Sequence, residues 1–101
     1  MSDGRVSVDA NVTRMEQLLA VLEPELIEIY DESGEHVGHA GAKGGGGHYQ
    51  LLIVSKRFEG ATPVARHRLI YQALASLMQT QIHALAITAL TQEELREVFP
   101  G

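Results

Sequence analysis

The sequence predicts a small α+β domain: a mixed three-stranded sheet with helices on one face, in the order α-β-β-α-β. Three observations predict it. Residues 63–78 carry a 3.6-residue apolar period, with Leu69, Ile70, Ala73, Leu74 and Leu77 on one face. The runs 26–32 and 84–90 have the branched, alternating composition of strands, and 49–54 is apolar on both faces, as a central strand would be. Between the first two runs, 33–47 contains seven glycines and no bulky apolar residue except Val37, which makes it a loop.

Taken in order, residues 1–10 mix small, polar and charged types and read as a flexible tail, leaving 11–101 as one domain. Asn11 or Thr13 can cap a first helix, and Thr13 with Glu16 has the capping-box spacing. Val12, Met15, Leu18, Leu19 and Leu22 form its apolar stripe. Pro24 stops it, because the residue before proline avoids helical geometry. The first strand follows, then the glycine loop, then the central strand.

Thr62 is a good N-cap for the main helix, and Pro63 suits its first turn, where a missing N–H costs nothing. Arg68, Gln72 and Gln79 fall on the polar side. A helix over 63–78 would span about 24 Å, enough to cross a small sheet. A short turn over 79–82 leads to the third strand, where Leu85 and Ile87 share a face. Thr91 and Glu94 repeat the capping-box spacing and predict a last helix over 92–99. The first two strands can pair antiparallel across the loop. The third returns after a helix, so it runs parallel to a neighbour.

Composition bounds the function. The chain has 101 residues, one domain's worth, with 45% hydrophobic and 21% charged residues. It has no cysteine, so it forms no disulfide, offers no thiol nucleophile and cannot hold a thiolate cluster alone. No apolar run is long enough for a membrane helix, and the first residues lack the apolar stretch of a signal peptide. The expectation is a soluble cytoplasmic protein, or an organelle protein after removal of a transit peptide. The net charge of −5 is unevenly spread. Lys56, Arg57, Arg66 and Arg68 cluster against Glu59 alone, while 23–42 is acidic with no Lys or Arg. An acidic total disfavours non-specific nucleic-acid binding, and a local basic patch keeps a directed contact open.

The element order and several motifs together resemble the BolA family. The residues that carry the resemblance are YDES at 30–33, HYQLLIVSKRFEG at 48–60, RHRLIYQAL at 66–74 and IHALAI at 82–87. It covers nearly the whole chain, with the segments in the right order at compatible spacing. The resemblance implies a KH-like fold and a non-enzymatic role. It implies partnership with a monothiol glutaredoxin and its glutathione in iron–sulfur and iron metabolism. It also implies, for some members, DNA-binding roles in transcription.

By the same resemblance, a loop histidine and the histidine of the HAL motif would complete a [2Fe–2S] cluster shared with the glutaredoxin. His83 matches the HAL position. For the loop ligand, His39 has eight residues between it and His48, and His36 stands three after Ser33. His39 is favoured, because counting back from the strand is less sensitive to an insertion after YDES; His36 is the other candidate. The residues alone support part of this. Two imidazoles can complete the coordination of one iron, and the thiolates must come from elsewhere. Without the resemblance, each histidine reads as an ordinary hydrogen-bonded or exposed side chain, and His48 and His67 keep that reading.

Other chemistries fare worse. The glycine run lacks the spacing of a phosphate loop, and Lys43 precedes it instead of following it. The turn Gly60-Ala61-Thr62-Pro63 lacks the second glycine of a nucleic-acid-binding GXXG loop. The acidic residues of 23–35 alternate with apolar ones or sit in the loop, which suits a solvated face better than a pair of catalytic carboxylates. Three readings stand: an iron–sulfur accessory protein dependent on His83, a DNA-binding regulator dependent on Arg66 and Arg68, and a metal-free interaction module. Lys56, Arg57, Arg66 and Arg68 are the candidate contacts to duplex DNA or to a protein partner.

Overall fold

The computed structural model describes residues 10–32 and 47–100. Helix α1, Ala10–Leu19, runs into a 3₁₀ turn, Ala20–Leu22. Strands β1, Leu26–Asp31, and β2, Gly47–Val54, precede a second 3₁₀ turn, Lys56–Phe58. Helices α2, Pro63–Ala73, and α3, Ala75–Met78, lead to strand β3, Ile82–Leu90, and helix α4, Gln92–Val98. The sheet order is β1-β2-β3, with β1 antiparallel and β3 parallel to the central β2. This is the α+β architecture that the hydrophobic patterning predicts.

The core lies between one face of the sheet and helices α1, α2 and α3. Tyr49, Leu51 and Ile53 alternate along β2 and are buried against Met15, Leu19, Ile70, Leu74 and Leu77. Phe58, fully buried, joins the same cluster from the turn after β2. Burying each large apolar side chain contributes about 2 kcal/mol, which outweighs any local helix propensity. The far face is more open than two-sided apolarity suggests: Gln50 is exposed and Leu52 only half-buried. There Gln50, Leu52, Ala86 and Thr88 help line a shallow cavity of about 240 Å³ with Tyr30 and Phe99.

Local chemistry explains the element ends. At the end of α1, Glu23 adopts a left-handed conformation (φ 52°), and its N–H donates to the carbonyl of Ala20 at 2.9 Å. Ser55, fully buried, ties β2 to this end: its hydroxyl donates to the Leu22 carbonyl at 2.6 Å and accepts the Arg57 N–H at 3.0 Å. The Thr62 hydroxyl caps α2 by accepting the Ala65 N–H at 3.1 Å, with Pro63 in the first turn. Thr91 and Glu94 form the reciprocal capping box at α4.

Four local expectations are corrected. Ala10 begins α1 and is not part of a tail. Thr13 therefore lies inside the helix, and Asn11 donates its side-chain amide to the Tyr49 hydroxyl at 3.1 Å instead of capping. The main helix is interrupted at Leu74, whose φ and ψ of −98° and 12° leave the helical region. No glycine or proline marks the break. Its backbone stays satisfied, since the Leu74 N–H donates to Ile70 and its carbonyl accepts from Leu77 and Met78. Strands β2 and β3 each begin two residues earlier than their apolar runs, at Gly47 and Ile82.

Candidate functional site

Two histidines meet where the parallel strands β2 and β3 begin. His48 faces Ala84 in the register, and Gly47 faces Ile82. His83 falls between with no residue opposite it, which makes a β-bulge. The bulge has a cause in the side chains. Ile82 and Leu85 are three apart, so strict alternation would put them on opposite faces. The extra residue lets Ile82 be buried in the core while Leu85 packs against the same cluster. His83 is left exposed.

The imidazole of His83 stacks on that of His48, with ring centroids 5.2 Å apart and planes 25° from parallel. His48 is half-buried on the central strand, and its carbonyl accepts the Glu32 N–H at 2.7 Å. The neighbouring Gly47 N–H donates to the Gln81 carbonyl at 2.8 Å, which pins the start of β3 beside it. The Tyr49 ring closes over Gly47 on the other side, where a side chain would collide with it. Glu32 is held by the side-chain amide of Gln50, which donates to its carboxylate.

This arrangement offers imidazole nitrogens and nothing softer. Among the described residues, no three of His, Cys, Asp or Glu gather closely enough to hold a metal ion. A [2Fe–2S] cluster needs four protein or thiol ligands, two on each iron. The residues fit a contribution to one iron of a cluster whose thiolates come from another molecule. His36 and His39 lie outside the described residues. His67 is half-buried on α2. From the sequence alone His48 is an ordinary hydrogen-bonded strand residue. Its signal was that both His48 and His83 open strands, but only the parallel register shows that those openings coincide.

The basic residues are elsewhere. The turn holding Lys56 and Arg57 follows the C-terminal end of β2, about 20 Å along the strand from His48. This turn therefore does not share the end of the sheet where His48 and His83 meet. Lys56 and Arg68 are exposed, and Arg57 pairs with Glu23 at 3.1 Å on the surface. Arg66 departs from its expected role as a contact residue, because it is buried. Its guanidinium donates to the carbonyls of Ala61 at 2.9 Å and Ala89 at 3.0 Å, and to both oxygens of Glu94 at 2.6 and 3.1 Å. It also lies over the Phe58 ring, 5.9 Å from the centroid. Arg66 thus ties α2, β3 and α4 together. The Arg66 hydrogen bonds, with the Thr91 backbone N–H, lower the Glu94 pKa from 4.5 to about 2.

Among the described residues, no helix is long and apolar enough to cross a membrane. Comparison with known proteins places the fold. The family profile described as BolA-like protein matches residues 18–94. The chain is 44% identical over 85 residues to BolA-like protein 1 of Homo sapiens, covering 84% of this chain and 58% of that protein. It thus spans little more than half the length of that relative. It is 39% identical over 79 residues to the DNA-binding transcriptional regulator BolA of Escherichia coli, covering 78% of this chain and 72% of that one. The solved structure of BolA1 from Arabidopsis thaliana superposes with a TM-score of 0.70 at 44% identity, over 81% of this chain and 92% of that one. With the helix–strand order, the mixed sheet and most of the length in agreement, the chain belongs to the BolA family.

Proposed function

We propose that this protein is a non-enzymatic accessory factor of iron–sulfur and iron metabolism that acts in the cytoplasm with a monothiol glutaredoxin and its glutathione. Its role is to complete a shared [2Fe–2S] cluster through His83 and a loop histidine, His39 or His36. The cluster, when bound, supplies one-electron chemistry and a transferable iron–sulfur unit. The observation that carries this reading is the bulge that leaves the His83 imidazole exposed at the open end of the sheet. A chain without cysteine must take its thiolates from a partner, and histidine on one iron raises the cluster potential relative to four cysteines. The test is a titration of cluster-loaded monothiol glutaredoxin with this protein, followed by visible absorption and circular dichroism under anaerobic conditions. A new spectrum saturating near one to one, lost or altered with His83→Ala, supports shared ligation. An unchanged spectrum with no complex on gel filtration ends the proposal.

A second reading has its own observation. The Escherichia coli relative carries the name of a DNA-binding regulator, and Lys56, Arg57 and Arg68 lie outside the core here. Contact with duplex DNA would then run through these three. Neutralising them should flatten the dependence of binding on salt, because fewer counterions are released. Binding unaffected by the substitutions would remove this reading.

A further inference from the structure

We propose that His48 is a positioning residue that holds the imidazole of His83 in its presented orientation. The proposal rests on the reading of His83 as a ligand and deepens it. His83 sits in a bulge, so no residue opposite it on β2 restrains its side chain. An exposed histidine at the start of a strand would otherwise exchange among rotamers, and a ligand that must first be ordered binds more weakly. Among the described residues, the ring contact of His83 is the stack on His48.

His48 is built to serve as that support. It lies near the start of the central strand, paired with Ala84 of β3, and its own carbonyl is held by the Glu32 N–H. The residue before it is fixed from two directions, by the Gln81 carbonyl and by the Tyr49 ring. Tyr49 is in turn buried and held by Asn11. The platform beneath His83 is therefore tied to the core, although the ring it supports is exposed. Support of this kind asks for a flat ring at position 48 and not for a nitrogen. That separates positioning from ligation by His48 itself.

The test compares His48→Ala with His48→Phe in two readouts. The first uses the isolated protein. Proton NMR of the His83 ring and its β-protons should show one preferred rotamer and a ring-current shift in the wild type. Both should be lost in His48→Ala and retained in His48→Phe. A His83 side chain averaged among rotamers in the wild type overturns the proposal, whatever any cluster does. The second readout is the titration of cluster-loaded glutaredoxin. His48→Ala should weaken formation of the shared species about tenfold or more, and His48→Phe should restore it to within about threefold of the wild type, as expected if only orientation is lost. Failure of both variants to form it would make His48 a ligand and overturn positioning. Unchanged formation by both would overturn it as well. If the wild type forms no shared species, the ligand reading fails, and the NMR comparison still decides whether His48 orders His83.

Discussion

The ring of Tyr49 covers the α-carbon of Gly47 so closely that a Cβ built there would lie 2.6 Å from the ring Cζ and the hydroxyl oxygen. These residues are two apart on β2 and share a face of the strand. Gly47→Ala should force the ring out of its buried position and break the bond from Asn11. The expected loss of stability is about 1–3 kcal/mol, the usual cost of overpacking, and it should appear as a lower urea midpoint at unchanged slope. Tyr49→Phe, which removes only the hydroxyl, should cost about 1 kcal/mol. Equal midpoints for Gly47→Ala and the wild type would show that the ring is not confined there.

Glu94 supplies a pH dependence. Its folded pKa, about 2, lies below the usual 4.5, so its interaction favours the folded state when the carboxylate is ionised. That contribution is fully present above about pH 5, where the unfolded chain is also ionised, and fades as pH falls toward 2. Glu94→Gln should therefore be less stable than the wild type at neutral pH, with the difference shrinking on acidification. Chemical denaturation at several pH values between 2 and 7 reads it. A difference that is constant across this range would dissociate Glu94 from the acid response.

The neighbouring arginines should behave differently. Arg66→Ala leaves the carbonyls of Ala61 and Ala89 without their donor and opens a gap beside Phe58, at a cost of about 1–3 kcal/mol. Arg68→Ala, on the exposed side of the same helix, should stay within about 0.5 kcal/mol of the wild type. Thermal melts of the two variants distinguish them. Loss of any binding activity in Arg66→Ala must then be judged against loss of fold, whereas Arg68→Ala reports on contacts directly.

The parts of this structure that depend on repeated patterns were legible in the sequence. The apolar period placed Ile70, Leu74 and Leu77 in the core, and the capping residues Thr62 and Thr91 marked where helices begin. What depends on pairing between distant segments was not. The fate of Arg66 turns on Glu94 and Ala89, more than twenty residues away, and nothing local distinguishes it from exposed Arg68. The break at Leu74 follows no glycine or proline. The histidine pair needed the register of β2 against β3, including one irregular step, and patterns within a single strand do not reveal register.

The bulge at His83 separates what the sheet presents to solvent from what holds it together. Ile82 and Leu85 anchor the strand on either side of it, and His83 in the bulge has no register partner and lays its exposed ring on His48. Substitution there changes the exposed donor and leaves the packed interior untouched. The proposed ligand can therefore be exchanged without a compensating change in the core.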